Sequence, residues 1–339
     1  MDSTFVLLAC GLGLSFFMAW NLGANDAATP TDCAVGSGVI SIKKAVILFA
    51  LFSTVGALTQ GFMTIKTIGT GIVPSIDVVG ALTITLAAGL WVTFCTWRGL
   101  EISNTYSVVG SVIGYGVVVY GTVESSIFTK LLISWVSSPL LALALSFLTY
   151  RLLLRVFRNS LDNPRFIKTV SFFLIVALCF SAYTFGANDV GNASGVYLTV
   201  AQQVGNIPGF TAMFVLAAFG SVGIALGGLT WGRRVIETVA YKIIRLDVLS
   251  GFAAELANGV VVYLFVTLPY LFFGFGLPIS TSIAGVGAVI GVGIAKDRRA
   301  VNKSTISRLL ITWALTIPAT AILSIVLYKT VSLIITAIA

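Results

Sequence analysis

Histidine is absent from this chain of 339 residues, charge is scarce and cysteine is rare. Without imidazole there is no histidine metal site, no catalytic triad of the usual kind and no histidine proton relay. Proton chemistry, if any, falls to carboxylates, Lys, Tyr or Cys. Charged residues make up 9% of the chain against 58% hydrophobic, whereas a soluble domain carries about 25% charge. That is too little to dress a globular surface for water, and the mean hydropathy of +1.03 agrees. The same figures exclude intrinsic disorder. Cys10, Cys33, Cys95 and Cys179 have no CxxC spacing, and three of them lie in apolar runs where Cys behaves as a small hydrophobe. They are read as neither zinc ligands nor disulfide partners. What remains is a polytopic membrane protein, in which the net charge of +8 speaks of orientation rather than of nucleic acid.

A spanning helix needs about 20 mostly apolar residues. Runs of that kind lie near 5–22, 45–63, 81–97, 102–120 and 131–152, and again near 170–186, 210–230, 252–273, 279–295 and 309–327. The first run lacks the basic start of a signal peptide and leads directly into a polar motif, so it is read as retained. Lys and Arg gather in four places: at 43–44, at 151–168, at 233–245 and at 296–308, together sixteen of the twenty. If the first run enters from outside, and the third and fourth cross and return as a pair, all four clusters face the cytoplasm. Lys66, Lys130 and Lys329 fall outside, and Arg98 sits between the paired runs. Both termini are then expected outside, in a multi-pass protein of the cell membrane.

The two sets of five runs repeat one another. Gly23-Ala24-Asn25-Asp26 returns as Gly186-Ala187-Asn188-Asp189, and Thr64-Ile65-Lys66-Thr67 as Val235-Ile236-Glu237-Thr238. Ile102-Ser103-Asn104-Thr105 returns as Ile279-Ser280-Thr281-Ser282, each followed by a glycine-rich run, and Trp135 and Pro139 return as Trp313 and Pro318. Five segments per copy is an odd number, so the second copy enters the membrane upside down. Inverted repeats of this sort are the architecture of secondary transporters, which hold substrate and coupling ion near the midplane. The expected units are a first repeat at 1–154, a basic cytoplasmic linker at 155–168 and a second repeat at 169–339.

Asp26 and Asp189 are carboxylates at membrane depth, where an ionisable group costs about 2.5 kcal/mol or more. Gly and Asn beside each of them argue against a continuous helix, and Pro30 breaks the first copy further. Broken helices expose carbonyl oxygens, which with Asn25, Asp26, Asn188 and Asp189 suit a hard cation such as sodium. Capping of a helix end is the plainer reading of one copy; two inverted copies favour function. The hydroxyl tetrads precede helices whose N-termini offer unpaired donors to an anion, so Ser103, Asn104, Thr105, Ser280, Thr281 and Ser282 are candidate anion ligands, against simple N-capping. Gly110, Gly114, Gly116, Gly287, Gly291 and Gly293 are read as residues for close helix packing. Glu255, alone in an apolar run, is a further candidate for the cation site. Glu101, at the first tetrad, is either a proton sensor or a solvated group, and Arg234 and Glu237 are read as solvated charge.

At these residues the chain resembles the inorganic phosphate transporter (PiT) family, whose repeated signature is Gly-Ala-Asn-Asp-Val-Ala-Asn-Ala. Gly186 to Ala193 differs from it only at Gly191, while the first copy diverges at Ala27, Thr29 and Pro30. The stretches Val235 to Thr238 and Gly251 to Glu255 are also similar to that family. The resemblance implies re-entrant hairpins, a homodimer and cation-coupled uptake of inorganic phosphate, with the Asn-Asp pairs at the cation and the tip hydroxyls at the anion. Where the family has Pro-Val-Ser-Thr-Thr-His at each tip, this chain has Glu101 to Tyr106 and Pro278 to Ile283. That departure leaves sulfate, carried by related permeases, as an alternative. Phosphate carries a proton near neutral pH and wants an acceptor, and Asp26, Asp189 and Glu101 supply acceptors, so phosphate is favoured.

The expectation is therefore an all-α membrane transporter surrounded by lipid, not an enzyme, without cofactor or nucleic-acid partner. Its driving force is an ion gradient, sodium or alternatively protons. A passive anion channel using the same hydroxyls is the rival class. An intramembrane hydrolase built on Asp26 and Asp189 is the weakest, for want of an acid–base pocket.

Overall fold

The computed structural model describes residues 3–98, 102–160, 162–239, 246–297 and 303–338. In the first half the helices are α1 (Ser3–Asp26), α2 (Asp32–Gly36), α3 (Ile42–Gln60), α4 (Phe62–Lys66), α5 (Val78–Trp97), α6 (Asn104–Tyr120) and α7 (Ser125–Val156). The second half has α8 (Pro164–Ser194), α9 (Leu198–Gln203), α10 (Gly209–Gly227), α11 (Arg233–Val239), α12 (Val248–Phe273), α13 (Thr281–Lys296) and α14 (Lys303–Ile338). All ten apolar runs are helical, and seven helical spans among the described residues are long and apolar enough to cross a membrane. α6 and α13, at 17 and 16 residues, are too short for a full crossing, which needs about 20. Both start at buried residues in the interior of the molecule, as the tips of re-entrant hairpins would.

Local chemistry accounts for where the helices begin and end. Ser103 and Ser280 cap α6 and α13, accepting from the N–H groups of Tyr106 and Ile283 at 3.2 and 3.3 Å. Asn163 caps α8 ahead of Pro164, whose missing N–H costs nothing at a first turn. Asp247 and Ser250 form a capping box at the start of α12. α6 and α12 stop at Gly121 and Gly274, with φ of +73° and +75°, a backbone that glycine adopts without strain.

The surface is inverted relative to a soluble protein. Phe172, Phe214, Leu140, Leu271 and Leu315 face outward, whereas Ser15, Ser53, Thr64, Ser146 and Thr184 are buried and find partners inside. Lipid replaces water as the outer solvent, so polar groups pair internally.

Packing between the halves is reciprocal. α1 lies on α10 and α8 on α3; α6 lies on α14 and α13 on α7. Each crossing is closed by glycine, as the sequence implies for α6 and α13. A Cβ on Gly23 would sit 1.9 Å from the Ile224 carbonyl oxygen, and one on Gly186 would sit 1.9 Å from that of Ser53. Gly114 faces the Ala321 carbonyl, and Gly291 that of Leu143, with equally little room. Every such contact occurs twice with the halves exchanged, which is compatible with an inverted repeat.

Candidate functional site

The two Gly-Ala-Asn-Asp copies fold differently. α1 ends at Asp26, and the chain turns through 27–31 before α2, with the Thr29 and Thr31 N–H groups bonded to the carbonyls of Asp26 and Ala28. The second copy corrects the expectation of a broken helix, because α8 runs unbroken through Gly186, Asn188 and Asp189 to Ser194. The cause is that Asn188 spends its amide elsewhere. Its Nδ2 donates to the Ile279 carbonyl at 2.8 Å, and its Oδ1 accepts from the Ile279 N–H at 3.1 Å. An Asn whose side chain is engaged across the molecule no longer competes with its own backbone. Asn188, a candidate cation ligand, is thus a clamp on the second hairpin tip.

Asp189, 1% exposed, accepts from Asn188 at 3.0 Å, Asn192 at 2.9 Å and Thr281 at 3.2 Å. Asp26, 4% exposed, accepts from Asn104 at 2.7 Å and Ser282 at 3.4 Å. Asp26 therefore reaches both hairpin tips, through Asn104 of its own copy and Ser282 of the other, while Asp189 meets the second tip, that of its own copy. Thr105 Oγ1 joins them again, donating to the Ile279 carbonyl at 3.0 Å and accepting from Asn192 at 3.0 Å. Trp135 holds the arrangement from outside. Its indole N–H donates to the Pro278 carbonyl at 3.1 Å, and its ring lies 4.3 Å from that of Tyr106.

Two acceptors in this cluster have no donor: Asn104 Oδ1 and Asn192 Oδ1, both buried. An orphaned buried oxygen is costly, and beside a carboxylate it is suited to a cation. Asn25, Asp26, Thr29 and Ser282 line a cavity, and Thr29 and Ser282 share a hydrogen bond at 3.4 Å. Glu255 lines the same cavity, next to Asp32 and Cys33, and not among the groups around Asp189. Glu101 lies outside the described residues, and Glu237 pairs on the surface with Arg233 at 2.9 Å.

Asn192 and Thr29 were not singled out in the sequence. Asn192 had a signal, standing three residues after Asp189 on one helix face, where the two side chains must meet. Thr29 had none, since the turn that brings it to Ser282 is tertiary.

The sequence model of the phosphate transporter family matches residues 22–169 and again 158–324. The chain belongs to the phosphate transporter family. It is 30% identical to "Putative phosphate permease PH0640" of Pyrococcus horikoshii, over 95% of this chain and 97% of that one. To the chloroplastic inorganic phosphate transporter 2-1 of Arabidopsis thaliana it is 29% identical, over 92% of this chain and 70% of the plant protein. A solved structure described as the sodium-dependent phosphate transporter superimposes with a TM-score of 0.86 and 26% identity, covering 97% of this chain and all of that one. Membership makes this a phosphate-transporting membrane protein and not an enzyme, and phosphate, not sulfate, is the anion the family is named for.

Proposed function

We propose that the chain is a secondary active symporter that couples inorganic phosphate uptake to sodium at the cluster joining Asp26, Asp189 and the two hairpin tips. One observation carries the reading: the tip hydroxyls of Ser282 and Thr281 are turned onto Asp26 and Asp189. A hydroxyl has a single proton to donate, so while it serves a carboxylate it cannot serve an anion. Sodium at Asp26 and Asp189, joined by the free oxygens of Asn104 and Asn192, neutralises the carboxylates and releases those hydroxyls. Ser282 and Thr281, with Ser103 and Ser280, then turn to phosphate at the N-termini of α6 and α13, where backbone dipoles favour an anion, and Thr105 joins them once its proton leaves the Ile279 carbonyl. Cation first and anion second is thereby built into the hydrogen bonds, and it is what distinguishes a symporter from a passive pore.

The same reading puts the chain in the cell membrane with both termini outside, since that orientation puts sixteen of twenty basic residues on the cytoplasmic side. It also takes the chain as a homodimer embedded in lipid. Labelled phosphate uptake into proteoliposomes, under an inward sodium gradient, an inward proton gradient or neither, tests the proposal. Concentrative uptake driven by sodium and undiminished by excess sulfate is expected. Uptake driven by protons alone, or uptake that only equilibrates with the bath, overturns it.

A further inference from the structure

The cavity beside Asp26 holds a second polar cluster, apart from the groups that bond Asp189. α2 brings Asp32 and Cys33 to it and α12 brings Glu255, and the Cys33 Sγ and one oxygen from each acid lie within 4.8 Å of one another. Gly251, one turn before Glu255, permits this approach, because a Cβ there would stand 3.0 Å from the Cys33 carbonyl oxygen. Glu255 is 1% exposed, and neither of its carboxylate oxygens accepts a hydrogen bond. Asn258, one turn further along α12, lines the same cavity with its Oδ1 also lacking a donor, while its Nδ2 is engaged with Ser181 Oγ at 3.3 Å. Three acceptor oxygens without close donors, next to a thiol and a second acid, make a ligand set that a cation can complete.

We propose that Asp32, Cys33 and Glu255 bind a thiophilic divalent cation of the zinc or cadmium class, with Asn258 Oδ1 or water in the fourth position. Sulfur decides the class. Sodium, calcium and magnesium are hard ions that take oxygen ligands, whereas a thiolate with two carboxylates suits a borderline or soft divalent ion. Zinc bonds to sulfur at about 2.3 Å and to carboxylate oxygen at about 2.0–2.2 Å, so its tetrahedral ligands lie roughly 3.5 Å apart. Binding requires side-chain rotations that draw the three ligand atoms, now within 4.8 Å of one another, to that spacing. Cys33 binds as the thiolate, and its proton leaves through the cavity to solvent. The bound ion ties α2 to α12 and fixes the cavity wall beside Asp26, which blocks phosphate uptake; this consequence rests on the transport reading, and the binding itself does not.

The test uses the full chain in detergent with Cys10, Cys95 and Cys179 replaced by Ala, titrated with cadmium ion alone. Equilibrium dialysis and the thiolate-to-cadmium charge-transfer absorption follow the binding. One ion per chain is expected, with the absorption lost in Cys33→Ser and the affinity lowered by more than about tenfold in Glu255→Gln. Asp32→Asn serves the same purpose should Glu255→Gln fail to fold. Absence of stoichiometric binding, or an unchanged affinity in Cys33→Ser, overturns the site. In proteoliposomes, cadmium is expected to inhibit phosphate uptake by the Cys33 protein and not by Cys33→Ser. Cadmium bound without inhibition overturns the clamp.

Discussion

The two copies of Gly-Ala-Asn-Asp begin from the same four residues and end in different surroundings. Asp189 sits inside an unbroken helix, sealed from solvent and served by three side-chain donors. Asp26 sits at a helix end, beside a turn and a cavity that also reaches Val235 and Glu255. Packing is symmetric, down to matched glycines at matched crossings, while hydrogen bonding and access are not. The lesson is that matched packing carries two buried carboxylates in different surroundings, one within a helix and one beside a cavity. Alternating access needs such an asymmetry, since a strictly symmetric site would be equally open to both sides.

The sharpest way to break this comparison is to neutralise each carboxylate in turn. Asp189→Asn and Asp26→Asn are both expected to lower sodium-driven phosphate uptake by about 100-fold, as befits the loss of charge-assisted bonds that contribute about 1.5–3 kcal/mol each. Asp189→Asn should also lower the thermal unfolding midpoint more than Asp26→Asn, because Asp189 lies within an unbroken helix whereas Asp26 borders a cavity at a helix end. Equal destabilisation by both would remove the distinction between the two copies. Next in size is Asn188→Ala, which strands the buried N–H of Ile279 and leaves its carbonyl to Thr105 alone. A stability loss of about 2–3 kcal/mol is expected in denaturant titration.

Gly23→Ala and Gly186→Ala test the symmetric part. Each forces a methyl group onto a backbone carbonyl, at an expected cost of about 1–3 kcal/mol, and the two costs should match. A large difference would show that the crossings are not equivalent. The tryptophans test the asymmetric part more gently. Trp135 donates to Pro278, whereas the indole N–H of its counterpart Trp313 is buried with no partner. Trp135→Phe should therefore lose about 1 kcal/mol more than Trp313→Phe.

The smallest expected effect is at the surface pair Lys296–Asp247, at the start of α12. Burial alone would raise the Asp247 carboxyl, but Lys296 and the Ser250 donors outweigh it and hold the group below its usual range. A depressed carboxyl stabilises the fold above its unfolded value of about 3.9, and that contribution is lost as pH falls through the folded value. Because both partners are partly exposed, the effect is below about 1 kcal/mol, and Lys296→Ala should flatten the acid limb of a stability–pH profile by no more than that.

Much of this was legible in the sequence, and the boundary is physical. Helix positions follow from apolar length, the caps of α6 and α13 from Ser103 and Ser280, and the repeat from matched tetrads. The packing role of Gly110, Gly114, Gly287 and Gly291 also follows, because glycine in an apolar helix has little other use. The run of α8 through Asn188 was not legible. Gly and Asn weaken a helix locally, and the compensating bonds come from Ile279, ninety-one residues away. Cys33 was passed over for a similar reason. In sequence it is one small residue without a partner at ligand spacing, and only the meeting of α2 with α12 sets it against Glu255. Ser103 and Ser280 show that the two readings weighed for the tetrads are not exclusive: each oxygen caps a helix while its proton stays available to an anion.

The central claim is that sodium frees the tip hydroxyls for phosphate, and binding linkage tests it most directly. Phosphate affinity of the purified chain is measured by titration with and without saturating sodium, and sodium affinity with and without phosphate. The account predicts that each ligand tightens the other by the same factor, of about tenfold or more, and that Asp189→Asn abolishes both effects. Phosphate binding that ignores sodium in the wild-type protein would contradict it.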